Sequence, residues 1–218
     1  MIIVISGLDG SGKSTQIDKL TQKFNADGFK VKYVWARGGY TPGFEILKRF
    51  LRRLFKKKLP PPGPSFKRQQ KLKSPLIQKI WLFLAIFDLV ILWGLYIRIF
   101  NTMNRVVICD RYLNDTLLDF RQNFPESNFE NGKLWKCLKF ICPEADHSFL
   151  FWIPVELSIK RSIEKGEPYP DSQEILSWRL DSYLDESLFP LKTYLRVDGQ
   201  TDKEEISDIL YSKININF

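Results

Sequence analysis

The sequence predicts an α/β fold with three α/β/α layers around a central parallel five-stranded sheet, in one domain covering residues 1–218. Short β-rich apolar runs alternate along the chain with helix-forming stretches, which is the pattern of βαβ units. The composition is 44% apolar and 27% charged, as in globular chains and unlike disordered ones. A chain of 218 residues is long enough to bury the core of one such domain.

The predicted elements follow one another in a regular order. The predicted strands are residues 2–6, 30–35, 106–109, 149–153 and 194–197. The predicted helices are residues 14–24, 112–124 and 203–213, with a further helix starting near Pro154. Only residues 48–73, which are strongly basic, and residues 80–97, which are strongly apolar, depart from this alternation.

A glycine-rich motif, GLDGSGKST at residues 7–15, follows the first predicted strand. It matches the pattern G-x-x-x-x-G-K-[ST] and lies between a strand and a helix, as a phosphate-binding loop must. Its backbone N–H groups and the start of the helix would hold phosphate oxygens. We therefore predict that Lys13 contacts the β- and γ-phosphates of a nucleotide and that Ser14 binds Mg²⁺. The predicted nucleotide-binding residues of this loop are Asp9, Gly10, Ser11, Gly12, Lys13, Ser14 and Thr15.

A second motif ends the strand predicted at residues 106–109. Asp110 follows this apolar run, which places a carboxylate near the metal of a phosphate-binding loop. Arg111, next in the chain, can bind a second phosphate through two parallel hydrogen bonds. The guanine-binding motif N-K-x-D of GTPases is absent from the sequence, which disfavours a GTPase. The combination suits transfer of a phosphoryl group between two phosphorylated molecules.

Taken together, these motifs resemble the thymidylate kinases, a family of P-loop nucleoside monophosphate kinases. The resemblance is carried by residues 7–15, by Asp110-Arg111-Tyr112 and by residues 197–201, with Arg37 in a degenerate copy of the family's arginine loop. It implies a P-loop kinase fold, with ATP and Mg²⁺ as cofactors and a nucleoside monophosphate as the acceptor.

The resemblance also implies a role for individual residues. Lys13 and Arg111 are catalytic, Ser14 and Asp110 hold the metal, and residues 198–201, including Gln200, lie near the adenine. The acceptor is bound by Asp9, Arg37, Asp88, Asp110 and Arg111. Asp9 would hydrogen-bond the acceptor's sugar hydroxyl, which accounts for an acid inside an anion-binding loop.

The sequence departs from the family at the base-binding helix. Asp88 corresponds to an acid that the family places before an arginine, but the arginine's position is Leu89. The aromatic residue that stacks on thymine would fall at Ala85. A base pocket without a polar side chain to hydrogen-bond the base discriminates poorly between bases, so the sequence does not identify the acceptor base.

The predicted lid, residues 160–172, must supply a cation for the migrating phosphoryl group. Its candidates are Lys160, Arg161 and Lys165, and we predict Arg161 as the catalytic one.

Two further stretches bear on partners. Residues 44–73 predict a basic amphipathic arm with a proline-rich insertion, which would bind an anionic membrane surface or steer nucleotides. Residues 80–97 are apolar over eighteen residues with one charge. A single span there would put the two phosphate motifs on opposite sides of a membrane, so we expect a buried core helix or a homodimer interface. No motif indicates nucleic acid.

Charge and cysteine content allow a broad classification. The net charge of +8 favours anionic partners such as nucleotides. Three cysteines without a CxxC pair favour reduced thiols and a cytoplasmic protein. Two alternatives to a nucleotide kinase remain open. They are a nucleotide-dependent binding protein at a membrane or partner surface, and a kinase of a phosphorylated non-nucleotide acceptor.

Overall fold

A computed structural model of the chain describes residues 1–36, 41, 43, 75–166 and 171–214. The chain divides into two compact units, where the sequence predicts a single domain. Unit 1 comprises Met1–Trp35, Ile99–Leu118 and Glu144–Phe218, and unit 2 comprises Ala36–Arg98 and Asp119–Pro143. The predicted arm at residues 44–73 and residues 167–170 of the predicted lid lie outside the described residues.

Unit 1 contains a sheet of five parallel strands in the spatial order β2-β3-β1-β4-β5. The strands are β1 (Ile2–Gly7), β2 (Val31–Trp35), β3 (Val106–Asp110), β4 (His147–Trp152) and β5 (Tyr194–Asp198). The predicted α/β fold with a five-stranded parallel sheet is confirmed, and the helices are consistent with three α/β/α layers. Both β1 and β3 are buried along their whole length, as expected for continuous apolar strands between two covered faces.

The helices agree with the prediction in part. They are α1 (Lys13–Ala26), α2 (Pro75–Ile91), α3 (Arg98–Thr102), α4 (Leu113–Asn123), α5 (Lys133–Ile141), α6 (Val155–Glu164), α7 (Gln173–Leu184) and α8 (Lys203–Lys213). The helices predicted at residues 14–24, 112–124 and 203–213 correspond to α1, α4 and α8, and α6 begins directly after Pro154. The sequence analysis did not predict α5 or α7.

The core of unit 1 lies between the sheet and the helix pair α1 and α8. Its buried apolar side chains come from four strands and both helices, and include Ile5, Leu20, Phe24, Ile108, Phe149, Val197 and Leu210. The core fixes α1 behind β1, so the first residues of α1 are held at the carboxyl end of the strand.

Unit 2 is helical in the part of it that the structure describes. A π-helical segment, Leu92–Ile97, continues α2, and α2 packs against α5. The aromatic rings of Phe120, Phe129 and Trp135 pack edge to face, with centroids 5.5 Å apart for the two phenylalanines and 5.2 Å apart for Phe129 and Trp135.

The helix from Pro75 to Thr102 is not buried on all sides. It is one helix, among the described residues, that is long and apolar enough to cross a membrane, which is weak support for a span. One face is buried through Leu82, Ala85, Ile86 and Leu89, whereas Phe83 and Phe87 are 56% and 46% exposed. One face of the helix is buried, as expected of a core helix, whereas the other face is exposed, and the homodimer interface stays a prediction.

Replacing Leu20, which is fully buried in α1, tests the core of unit 1. We expect Leu20→Ala to lower the free energy of unfolding by about 2–5 kcal/mol, because it removes apolar contacts and leaves a cavity. Leu191→Ala is the matched control, since Leu191 is 54% exposed and should cost less than about 0.5 kcal/mol. Urea unfolding measures both, and equal losses would contradict the packing described here.

Candidate functional site

The candidate site is a cleft at the carboxyl ends of three neighbouring strands of unit 1. The register pairs Ile5 of β1 with Asp110 of β3, and the same Asp110 with Trp35 of β2. The segments that leave these strands meet at the sheet edge where open α/β sheets bind ligands. The cleft has a volume of about 180 Å³ and is lined by Asp9, Gly10, Gly12, Lys13, Ser14, Thr15, Trp35, Asp110, Arg111 and Lys165. Pockets for whole small molecules measure about 300–1,000 Å³, so this space suits phosphate groups better than an entire nucleotide.

The glycine loop, residues 7–12, connects β1 to α1. Gly12 has a φ of 96°, a left-handed conformation that strains any residue with a side chain. The carbonyl of Leu8 accepts three hydrogen bonds: from the Ser11 N–H at 3.3 Å, the Ser11 hydroxyl at 2.7 Å and the Lys13 ammonium at 2.5 Å. These bonds close the loop in front of α1, whose first residues line the cleft. The first N–H groups of a helix lack partners within the helix and favour an anion.

Lys13 is a buried cation, with a side chain that is 8% exposed and an Nζ atom 4.0 Å from the Asp9 carboxylate. Burial, together with the positive charge of Arg111, lowers the pKa of Lys13 to about 8. The carboxylates of Asp9, Asp110 and Asp115 act in the opposite direction. The surroundings therefore penalise the ammonium form of Lys13, and an anion in the cleft would relieve that penalty.

Asp110 lines the cleft and has one unpaired carboxylate oxygen. Its Oδ2 accepts a hydrogen bond from the Tyr33 hydroxyl at 3.0 Å. Its Oδ1 is buried and has no hydrogen-bond partner within the described part of the chain. A buried carboxylate oxygen without a partner is costly, and a bound cation would satisfy it. Because Ser14 lines the same cleft, the two residues offer the oxygen ligands that Mg²⁺ prefers, so this ion fits the residues present.

Arg111 lines the cleft from the end of β3 in a strained conformation. Its φ of 73° is left-handed, which costs about 1–3 kcal/mol in a residue with a side chain and persists where the surroundings fix it. Its Nη2 donates to Asp9 Oδ1 at 2.5 Å and its Nη1 donates to the Tyr183 hydroxyl at 2.9 Å. Strain of this kind is common at functional sites.

A buried hydrogen-bond network supports the side chain of Arg111. The Tyr183 hydroxyl donates to Asp115 Oδ1 at 2.8 Å, and Asp115 Oδ2 accepts from the Ser6 hydroxyl at 2.6 Å and the Tyr112 N–H at 2.9 Å. Burial, with the nearby charge of Asp115, raises the pKa of Tyr183, so its hydroxyl stays protonated. The network therefore holds the guanidinium of Arg111 in one orientation.

Two predicted cleft residues lie in other contacts. The hydroxyl of Ser11 is buried in the glycine loop and does not line the cleft. The Nη1 of Arg161, predicted as the catalytic cation, donates to the carbonyls of Gly10 and Gly199 at 2.9 and 3.1 Å. Lys165, one helical turn further on, lines the cleft instead. Arg161 thus connects two loops, and among the described residues of the predicted lid Lys165 lines the cleft.

The loop after β5 lies against the glycine loop. A side chain at Gly199 would overlap the Ser11 carbonyl, so this close approach requires glycine. Gln200 is exposed, and its Nε2 donates to Asp198 Oδ1 at 3.3 Å. Gln200 does not line the cleft, and its role at the adenine stays a prediction.

The predicted base pocket lies in unit 2 or outside the described residues. Asp88 is half-buried and accepts a hydrogen bond from the Thr41 hydroxyl. Ala85 and Leu89 are both fully buried. Arg37 lies outside the described residues. The acceptor-binding roles of Asp88 and Arg37 stay predictions.

Sequence reasoning missed three residues that shape the site. Trp35, the last residue of β2, is 40% exposed and lines the cleft, and its place at the carboxyl end of a strand was the signal that could have identified it. Asp115 and Tyr183 support Arg111 from behind. Tyr183 lies on α7, far from Arg111 in the chain, and no local pattern marks it.

No family profile matches the chain, and no curated protein matches it. The resemblance to thymidylate kinases therefore stays a prediction that depends on the two phosphate motifs and residues 197–201. Function has to be inferred from the contacts and charges of the cleft.

The lowered pKa of Lys13 makes anion binding depend on pH in a defined direction. Only the ammonium form attracts phosphate, so affinity for inorganic triphosphate should fall above about pH 8, by up to about tenfold per pH unit. Lys13→Arg is the control, because a guanidinium stays charged throughout this range and its affinity should vary little. Calorimetric titration from about pH 7 to about pH 10 measures both. A wild-type affinity that is constant up to about pH 10 would contradict the assignment.

Proposed function

We propose that the chain is an ATP-dependent nucleoside monophosphate kinase of the P-loop class, similar to thymidylate kinases and with an altered base pocket. The observation that carries this proposal is that Lys13 and Arg111, which belong to separate motifs, line one cleft together with Asp110. Burial, and after it the charge of Arg111, lowers the pKa of Lys13, so an anion bound in the cleft would stabilise the ammonium form. A cleft of this kind suits two phosphorylated molecules better than one.

In the proposed reaction, an oxygen of the acceptor's phosphate attacks the γ-phosphorus of ATP. The bond from that phosphorus to the β–γ bridging oxygen breaks, and ADP leaves. Lys13 and the start of α1 hold the transferred group, and Arg111 holds the acceptor phosphate through its planar guanidinium. Ser14 and Asp110 would hold Mg²⁺, which when bound neutralises phosphate charge.

Asp9 is proposed to serve the acceptor. Its carboxylate pairs with Arg111 and remains 33% exposed in the cleft. It can therefore orient Arg111 while accepting a hydrogen bond from the acceptor's sugar. The pairing also accounts for an acid in an anion-binding loop, because Asp9 offsets the charge of Arg111 where the two cations lie close together.

Lys165 replaces Arg161 as the proposed lid cation. Arg161 is engaged with backbone carbonyls of two loops, whereas Lys165 lines the cleft at the end of α6. A positioned cation near the transferred phosphoryl group stabilises the charge that develops during transfer.

A panel of nucleoside monophosphates with ATP and Mg²⁺ tests the proposal. We expect at least one acceptor to be phosphorylated, and Lys13→Ala to reduce kcat by about a thousandfold or more. Asp9→Ala should mainly raise the acceptor KM, by about ten- to a hundredfold, through loss of a charge-assisted hydrogen bond. Lys19→Ala is the control, because Lys19 lies on the same helix and pairs with Glu204 away from the cleft. Full turnover by Lys13→Ala, or no phosphorylation of any member of the panel, would refute the proposal.

The lid assignment is tested by comparing two lysines of the same segment. Lys165→Ala should lower kcat by about 10²–10³ with little change in either KM, because the cation acts on charge that develops in the transition state. Lys160→Ala should leave kcat unchanged, since Lys160 is exposed and does not line the cleft. Steady-state kinetics with both substrates varied measures this difference. The reverse ranking of the two variants would show that the lid assignment is wrong.

A further inference from the structure

Unit 2 carries a continuous row of exposed apolar side chains. They lie three or four residues apart on α2 and the helical segment that follows it, and therefore on one face. The apolar row consists of Leu76, Ile80, Phe83, Phe87, Ile91 and Leu95, each between 46% and 67% exposed. The rings of Phe83 and Phe87 stack nearly parallel, with centroids 6.3 Å apart. At 1.5 Å per residue the row is about 30 Å long.

The apolar row is separate from the buried face of the same helix. That face, with Leu82, Leu89 and Trp93 at 4% exposure or less, already anchors the helix in unit 2. Between the exposed residues Lys79 and Arg98, the helix has one charged residue, Asp88. Asp88 accepts a hydrogen bond from the Thr41 hydroxyl. Contiguous exposed apolar surface of this kind marks an interface with a protein or a membrane.

The charges of the chain are divided unequally between the two units. By sequence, unit 2 contains 18 Lys and Arg against 5 Asp and Glu, a net charge of +13, and twelve of these 18 basic residues fall in residues 37–73, outside the described residues. Unit 1 contains 15 Lys and Arg against 20 Asp and Glu, a net charge of −5. The basic excess of the chain therefore belongs to the unit with the apolar row and not to the unit with the phosphate cleft.

We propose that the apolar row docks on the surface of an anionic phospholipid membrane. Its side chains would enter the boundary between head groups and acyl chains, while the positive charge of unit 2 is attracted to the anionic head groups. The strength of such binding increases with the buried apolar area and with the electrostatic attraction to anionic lipids. The opposite face of the helix packs on α5, so the helix docks on the membrane and does not cross it.

A second copy of the chain is the competing occupant of the row. Pairing two copies through this face would bring together two units of net charge +13, and the like-charge repulsion opposes that contact. An anionic lipid surface instead neutralises the same charge. Nucleic acid would also neutralise it, but a row of phenyl and aliphatic groups offers nothing to a phosphate backbone.

Vesicle co-sedimentation of the full chain tests the proposal. We expect binding to vesicles of phosphatidylcholine and phosphatidylglycerol in equal amounts, and weaker binding to phosphatidylcholine alone or at high salt. Phe83→Gln/Phe87→Gln should weaken binding to the anionic vesicles by about tenfold or more, because both side chains lose their insertion energy. Ile163→Gln/Leu191→Gln is the matched control, since it removes two exposed apolar side chains from unit 1 and should bind as wild type.

Melting curves and light scattering of the same variants decide among the occupants. An unchanged melting temperature in Phe83→Gln/Phe87→Gln, with weaker vesicle binding, supports the proposal. If that variant melts far below wild type, Ile80→Gln/Ile91→Gln serves as the second test. A large loss of stability in both variants would show that the row is covered from within the chain and would overturn the proposal. Three other results would also overturn the proposal. The first is a wild-type dimer that dissociates in these variants while no form of the chain binds vesicles. The others are equal vesicle binding by wild type and variant, and retention of the chain on vesicles after an alkaline carbonate wash.

Discussion

The parallel pairing of β1 with β3 determines where the groups of the cleft lie. It sets Ile5 opposite Asp110, so the glycine loop after β1 and Arg111 after β3 leave the sheet side by side. Both strands are fully buried, and a slip of one residue would turn Asp110 toward the opposite face, so the core holds the register. The pairing of β2 with β3 adds Tyr33, which binds Asp110, and Trp35. Motifs about a hundred residues apart in the chain become one site only through this sheet.

Within that frame, the cleft is organised by opposing charges at short range. Lys13 and Arg111 are both buried, and the charge of Arg111 helps to lower the pKa of Lys13. Asp9 offsets both positive charges, because its carboxylate pairs with Arg111 at 2.5 Å and lies 4.0 Å from the Lys13 ammonium. Tyr183 and Asp115 hold Arg111 from the other side. A cleft with fixed cations and one unpaired carboxylate oxygen needs little reorganisation to accept phosphate and a metal ion, which is the property that phosphoryl transfer requires.

The strands and the glycine loop could be predicted because their signals are local: short apolar runs, and glycines at fixed spacing before a lysine. The sequence does not distinguish Arg161 from Lys165 as the lid cation, because the two lie four residues apart, and only the contacts of Arg161 with two carbonyls separate them. Tyr183 could not be found, since its partners are Arg111, directly after β3, and Asp115 on α4. The helix from Pro75 to Thr102 is apolar all round, so its sequence does not indicate which face is covered.

The proposed function requires that the Lys13 side and the Arg111 side of the cleft bind two different phosphorylated molecules at once. The direct measurement is calorimetric titration of nucleoside monophosphates into protein saturated with Mg²⁺ and a non-hydrolysable ATP analogue. We expect that at least one monophosphate still binds, and that Arg111→Lys weakens this second binding, because lysine lacks the planar fork that holds a phosphate through two bonds. If the analogue abolishes the binding of every monophosphate, the cleft holds one phosphorylated molecule and the claim is contradicted.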